Sequence, residues 1–391
     1  MQDILPRYIH ICSIKQGEMN CHDKTTTKAF MLRTLLPHHI HQAVVRFPRR
    51  SYLHKMKTFS NIELIDQVDS YPYGQDNAQP TTETPGSVYT LVWNDSEGEV
   101  PIGYVLPRVV EKLLEAPGIS KGEIQVNPEK RTVRAFQGPT LESRSNIAAD
   151  LSSYWRTNDT FPILRGWRDE LWPVYGRHGE LLFDIERTAS GLFGVTRYGV
   201  HMTGFVRCPD ASHGIKIWVP RRSPTKSTFP GMLDNTVAGG LMTGEDPFEC
   251  VIREADEEAS LPEHVVRHQA KHVGGVTYIY ITESEAGEEG LIYPEVQWIY
   301  DLELPDDVVP QPKDGEVAEF SLCTVEEVQD GLANGKWKPN CALVVLDFFI
   351  RHGILTKANE PEYDRIVRRI HRRLPFPGPH NQDPSLGAID G

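Results

Sequence analysis

The stretch from Gly239 to Leu261, G-G-L-M-T-G-E-D-P-F-E-C-V-I-R-E-A-D-E-E-A-S-L, constrains this chain more than any other. Gly239, Gly240 and Gly244 let a loop bend tightly around something small, because no side chain blocks the approach. Asp246 suits an N-cap, Pro247 the first helical position, and Glu249 completes a capping box. A helix is therefore expected from Pro247, ending near Ser260 because Pro262 follows. On it Phe248, Ile252, Ala255 and Ala259 form an apolar stripe, while Glu254, Glu257 and Glu258 share another face. Three carboxylates that close repel one another. A solvated acidic face is the bland explanation. A hard divalent cation that keeps several waters, Mg2+ or Mn2+, would remove the repulsion and could also hold a diphosphate.

The segment resembles the Nudix box, G-x5-E-x7-R-E-U-x-E-E-x-G-U, with U a bulky apolar residue. Gly239, Glu245, Arg253, Glu254, Glu257 and Glu258 match its six fixed positions before the last glycine, which Ser260 replaces. Ala255 and Leu261 stand at the two U positions. The resemblance implies an α/β fold: a Nudix α/β/α sandwich with a mixed sheet, preceded here by a smaller α+β domain. Upstream, the run R-R-S-P-T-K-S-T-F-P-G-M-L-D-N-T-V-A-G-G makes the chain from Met56 onward similar to the thiamine pyrophosphokinase-related family.

The formal net charge of −13 is unevenly spread. Residues 1–55 hold nine Lys/Arg and three Asp/Glu, about +6, so the remainder carries about −19. An acidic body is a poor partner for a nucleic-acid polymer, whereas a local basic pocket can still take a small phosphorylated ligand. The stretch M-L-R-T-L-L-P-H-H-I-H-Q-A-V-V-R-F-P-R-R has the composition of a mitochondrial presequence; the alternative is a disordered extension, with the globular protein starting near Met56. Six scattered cysteines without a C-x-x-C pair read as reduced thiols, and no apolar run approaches membrane-spanning length. The expectation is a cytoplasmic protein, or a mitochondrial one if the extension is a targeting signal.

Four regions are expected: the extension 1–55, an N-terminal α+β domain over 56–190, a Nudix domain over 191–357, and a C-terminal helix and tail over 358–391. In the second, Asn61–Val68 reads as a helix, Val88–Trp93 as a strand, Ile102–Leu114 as a strand turning helical after Pro107, Glu123–Phe136 as a hairpin and Glu180–Ile185 as a strand. Trp155, Trp167 and Trp172 crowd its second half and suit core packing or ring stacking. In the third, Phe193–Arg207, Gly214–Pro220, His272–Thr282 and Glu295–Leu304 read as strands, and Thr324–Asn334 and Cys341–His352 as helices. The basic helix of Y-D-R-I-V-R-R-I-H-R-R-L-P-F-P is expected to pack on the N-terminal domain and to be followed by a disordered tail.

Arg221, Arg222 and Lys226 put three cations beside the glycine loop and suit a clamp on phosphate oxygens. Trp298 and Tyr278 are candidates for stacking on a heterocycle, with core packing as the alternative. The resemblance implies that Glu254, Glu257, Glu258 and the Gly239 carbonyl hold the metal, that Arg253 orients the glutamates, and that Glu254 or a later carboxylate such as Glu316 takes the proton of the attacking water. It further implies a small-molecule diphosphate substrate: thiamine diphosphate or its oxo and oxy analogues, cleaved to the monophosphate. Oxidised purine nucleoside diphosphates of the 8-oxo-dGDP type, or diphosphate sensing without turnover, are the competing readings. No membrane partner is expected, and a homodimer is the oligomeric form considered.

Overall fold

The computed structural model describes residues 58–73, 88–283 and 288–383, all within one compact unit, Lys55–Gly391. The reading of residues 1–55 as an extension thus lies outside the described residues.

The described chain opens with α1, Asn61–Val68, where Ser60 and Glu63 form a reciprocal capping box. Strands β1 (Tyr89–Asp95) and β2 (Gly98–Val105) make a hairpin, followed by α2 (Pro107–Glu115), which starts on Pro107 and buries Val109, Val110 and Leu113. A short helix, α3 (Gly118–Lys121), leads to β3 (Gln125–Asn127) and β4 (Thr132–Arg134). These complete a four-stranded sheet in the order β2-β1-β4-β3, with β1 and β4 parallel. Helix α4 (Leu141–Thr157) packs on a further hairpin, β5 (Leu171–Tyr175) and β6 (Leu181–Glu186), around a core holding Trp155, Phe136 and Phe183.

Where a strand was expected from Phe193, the chain instead forms helix α5, Arg187–Phe193. Glu186 caps it by accepting from the Thr188 and Ala189 amides, and Gly194, at φ +54°, ends it in the left-handed region. The strand proper, β7, is Arg197–Arg207. With β8 (Ile215–Arg222), β9 (Val237–Gly240), β10 (Ala270–Ile281), β11 (Ile292–Glu303) and β12 (Val317–Thr324) it builds the larger sheet, ordered β10-β11-β7-β8-β12 with β9 paired to β7. Strands β7 and β11 are parallel and the other pairs antiparallel, so the sheet is mixed.

Helices cover both faces. On one lie α6 (Pro247–Ala259) and α7 (Glu263–Gln269), against Val200, Met202, Val296 and Trp298. On the other lie α1, α8 (Val325–Ala333), α9 (Pro339–Arg351) and α10 (Tyr363–Ile370), against Phe205, Val276 and Ile299. The result is an α/β/α sandwich preceded by a smaller α+β domain. Helix α1, although early in the chain, belongs to the larger sheet's core, and α10 packs on it: the buried Asp69 carboxylate takes Arg372 at 2.7 Å and Arg369 at 3.1 Å. The chain just beyond α10 stays packed, and part of the tail expected to be disordered after Pro377 is packed too, a short turn at Pro379–Asn381 burying His380. Leu374 and Phe376 are buried, and Phe376 meets Tyr104 edge-on at 4.7 Å.

Candidate active site

Helix α6 begins with Asp246 accepting from the Phe248 and Glu249 amides and Pro247 in the first turn, but the expected capping box does not form, because the Glu249 carboxylate is held by Arg267 at 2.7 Å. It ends at Ser260, whose φ of +53° supplies the left-handed cap usually left to glycine. The Leu261 amide then reaches back to Ala255 O at 3.0 Å, closing the helix despite the replaced residue. The first two glycines of the loop are the end of β9. A Cβ on Gly239 would lie 2.3 Å from Glu254 Cγ, so only glycine lets that carboxylate settle on the strand.

Arg253 organises the face. Its Nε donates to Glu245 Oε1 at 2.8 Å and its Nη1 to Glu254 Oε1 at 2.9 Å and Glu257 Oε2 at 3.1 Å. A second bond to Glu245, at 3.2 Å, makes that pairing a fork. Glu258 is 9% exposed and accepts from the Ala238 amide at 3.1 Å. Burial, with Glu254 and Asp234 adding repulsion, pushes the Glu258 carboxyl well above its ordinary range. Burial likewise raises Glu254 to about 7 against the pull of Arg253. These two carboxylates, one buried and one largely so, repel each other, and a hard divalent cation bound by their oxygens would supply the missing positive charge. Oxygen donors of this kind suit a hard divalent cation, although among the described residues no three His, Cys, Asp or Glu side chains are yet gathered closely enough to enclose one.

The helix face opens onto a cavity of about 650 Å3 lined by Gly239, Glu254, Glu257, Glu258, Arg253 and Glu316. Its floor is the face of the sheet carrying Arg197, Gly199 and His201 from β7, Glu295 and Gln297 from β11, and Tyr278 and Tyr280 from β10. Tyr278 Oη donates to Glu295 Oε2 at 2.5 Å and Gln297 Nε2 donates to the same oxygen at 3.0 Å. Lys338 and Asn340 close the floor from the start of α9.

The expected residues divide. Tyr278 lines the cavity but is 1% exposed, with its hydroxyl tied to Glu295. Trp298 does not reach the cavity. It is buried on the opposite face of the sheet, 5.6 Å from the Tyr198 ring, because it pairs with Gly275 and stands one residue out of phase with Gln297. Lys226 lines the cavity and pairs with Glu316. Arg222 reaches its wall, but its guanidinium is spent on Asp234 Oδ2 at 2.6 Å and on the Phe229 and Thr228 carbonyls. Arg221, its neighbour on β8, faces the other way and binds Glu319 at 2.8 Å. The expected three-cation clamp is thus reduced to Lys226, since alternation along the strand sends Arg221 outward and a buried carboxylate occupies Arg222.

Other cations replace them, several from the N-terminal domain. Arg168, Trp172 and Arg187 all line the cavity. The Trp172 ring lies over Gly240, where a Cβ would be 3.1 Å from Cζ2. Arg197 is layered between Trp172, at 4.5 Å, and Tyr293, at 4.2 Å. Only the tryptophan cluster hinted at this wall in the sequence. Arg168 and Arg187 stand in no recognisable pattern, and Arg197 and Gln297 needed the strand register.

A mixed sheet between helices, with a glycine-led helix presenting carboxylates to a cleft, defines a Nudix architecture. The NUDIX domain model matches residues 203–342, and a domain of unknown function, DUF4743, matches residues 97–197. The uncharacterized protein YJR142W of Saccharomyces cerevisiae is 36% identical over 328 residues, which cover 82% of this chain and 93% of that protein. Nudix hydrolase 20, chloroplastic, of Arabidopsis thaliana is 36% identical over 235 residues, 59% of each chain. Nudix hydrolase 24, chloroplastic, of the same plant is 37% identical over 210 residues, so the match spans little more than half, 54%, of its length. A solved structure of DR0079 from Deinococcus radiodurans is 23% identical with a TM-score of 0.33, covering 45% of this chain and 97% of that one. The chain belongs to the Nudix hydrolases, and it carries a DUF4743 domain ahead of the Nudix domain. Among the described residues no helix is long and apolar enough to cross a membrane.

Proposed function

We propose that this site hydrolyses a small diphosphate ester, thiamine diphosphate or its oxo and oxy analogues, to the monophosphate ester and inorganic phosphate. The observation that carries the reaction is the arrangement of Glu254, largely buried, and Glu258, buried, on one helix face, opening with half-exposed Glu257 onto a cavity lined by cations. The substrate rests on the similarity to the thiamine pyrophosphokinase-related family from Met56 onward, and on a cavity of about 650 Å3 that suits a ligand of that size.

Glu254, Glu257, Glu258 and the Gly239 carbonyl would hold Mg2+ or Mn2+. When bound, such ions neutralise diphosphate charge and acidify a coordinated water. Arg253 binds Glu245, Glu254 and Glu257 together and so sets the carboxylates' positions. Glu316 and Glu254 both face the cavity as proton acceptors. The Lys226 partner holds Glu316 below its usual carboxylate range against the effect of burial, which weakens it as a base and favours Glu254. Water would add to phosphorus, the bridging P–O bond would break, and the water's proton would pass to that carboxylate.

The test is release of phosphate and monophosphate, with Mg2+, from thiamine diphosphate, oxythiamine diphosphate, 8-oxo-dGDP and ADP-ribose. Preference for the thiamine series supports the reading. Preference for a nucleotide keeps the chemistry and overturns the substrate, and binding without turnover of any of the four overturns the hydrolysis.

A further inference from the structure

Most cations around the cavity already have a carboxylate partner. Arg253 is held by Glu245, Glu254 and Glu257, Arg222 by Asp234, Lys226 by Glu316, Arg187 by Glu170 at 2.8 Å, and Arg197 faces Glu295 at 3.6 Å. Arg168 differs. Among the described residues its guanidinium makes no hydrogen bond and no ion pair, yet it lines the cavity and lies near enough to Glu316 to help hold that carboxyl ionised. It faces the cavity that holds Glu316 from the other domain.

The backbone beneath it is tightly specified. The Arg168 amide donates to Glu186 Oε1 at 2.9 Å, and the other oxygen of Glu186 caps α5 through the Thr188 amide at 2.6 Å. Asp169, the next residue, sits at φ +60°, a left-handed conformation that costs a non-glycine residue free energy. Its Oδ1 accepts from Trp167 Nε1 at 2.7 Å. The Arg187 amide donates to Glu170 O at 2.9 Å, and Trp172 then seats the segment on Gly240 of the Nudix loop. A six-residue turn is thus pinned at both ends and strained in the middle, and what it presents to the cavity is one unpaired guanidinium.

We propose that Arg168 is the N-terminal domain's phosphate-binding residue, contacting the terminal phosphoryl group of a diphosphate whose other oxygens face the α6 carboxylates. The domain of unknown function is then half of the substrate site, and it makes the enzyme prefer a diphosphate ester to a monophosphate ester. An arginine fork suits this role, because a terminal phosphoryl offers two oxygens at the spacing of two guanidinium N–H groups. Glu316 and Lys226, paired beside it, would separate when the phosphate arrives, leaving Lys226 to face the same group. The inference rests on the reading that this site takes a diphosphate, and it leaves the ester's organic part open.

The test uses the full chain with Arg168→Ala and Arg168→Lys. Two quantities are read: KM and kcat for the best substrate of the four-member panel, and calorimetric binding of imidodiphosphate against inorganic phosphate in the presence of Mn2+. Losing a charge-assisted bond should raise KM and weaken imidodiphosphate binding by roughly 10-fold or more, with a smaller effect on kcat. Arg168→Lys should recover part of the loss, because it keeps the charge and loses the fork. The thermal midpoint should not move, since the side chain is exposed and, among the described residues, makes no bond. Unchanged KM and unchanged imidodiphosphate binding would overturn the proposal, as would an equal loss for phosphate and imidodiphosphate. If the wild-type protein turns over nothing but binds imidodiphosphate, the hydrolase reading fails while the binding comparison still decides the role of Arg168.

Discussion

Glu254 lies directly on the backbone of Gly239, so close that a Cβ there would stand 2.3 Å from the glutamate's Cγ and Oε1. The contact joins the last residues of β9 to the middle of α6 and brings the strand's carbonyl edge next to the carboxylate face. Gly239→Ala should therefore displace Glu254 while leaving the core intact, because the clash is with a side chain at a cavity wall. Activity should fall by roughly two orders of magnitude, the scale of a misplaced catalytic group. The thermal midpoint should fall by only a few degrees. Steady-state kinetics beside a melting curve checks both; near-wild-type turnover would show that the Glu254 position does not matter.

Glu258 offers a different test, because its burial is costly without a cation. Replacing it with the neutral isostere, Glu258→Gln, removes a buried carboxylate that has one amide donor and three acidic neighbours, Glu254, Asp234 and Glu316. The metal-free protein should become more stable, by roughly 1–3 kcal/mol, since a buried charge without a partner is unfavourable. In the wild type, Mg2+ or Mn2+ should raise the thermal midpoint and EDTA should reverse the rise. In Glu258→Gln that response should shrink or vanish, and turnover should fall by orders of magnitude. A metal response equal to the wild type's would remove Glu258 from the metal site.

How much of this could be read in the sequence depends on how local the determining interaction is. The Asp246 cap of α6 and its carboxylate face are set by residues two to four apart, and they appear where the sequence puts them, whereas the expected box partner Glu249 is drawn away by Arg267, 18 residues downstream. The glycine loop was legible as a loop; its pairing of Gly240 with Gly199 on β7 was not. Strand phase is the clearest loss. Tyr278 and Trp298 both lie in aromatic-rich strands, but only the pairing of Tyr278 with Glu295 shows that they face opposite sides of the sheet. The basic run misled because Asp234, which neutralises Arg222, is 12 residues downstream. The N-terminal wall was invisible for the same reason: Trp172 meets Gly240 across a domain boundary.

The same phase difference separates two aromatic substitutions. Trp298→Leu removes packing around Tyr198 on the α6 side and should destabilise by about 2–4 kcal/mol, as large-to-small core changes do, without altering which substrate is preferred. Tyr278→Phe keeps the ring and deletes the donor to Glu295, so the carboxylate at the cavity floor loses one of its two side-chain hydrogen bonds. It should change the ranking of the substrate panel while lowering stability by only about 1 kcal/mol. Measuring kcat/KM across the panel for both variants settles the assignment; a ranking altered by Trp298→Leu and untouched by Tyr278→Phe would reverse it.

Acid should weaken the fold through two histidines that are buried neutral. Burial, with Lys338 adding repulsion, lowers His201 to about 4, and burial lowers His380 to about 4. Their ordinary value is 6.5, so between pH 6.5 and about 4 the unfolded chain takes up protons that the folded chain does not. Stability from each is therefore fully present above pH 6.5 and is lost as pH falls toward 4. From pH 7 to pH 5 the loss is about 2 kcal/mol per histidine. His380 isolates the effect, since it packs against Tyr198 and, among the described residues, its Nε2 has no hydrogen-bond partner. Urea unfolding of wild type and His380→Gln at pH 7 and pH 5 gives the difference directly. The variant should lose about 2 kcal/mol less than the wild type over that interval. Equal losses would mean that His380 is protonated, or hydrated, in the native state.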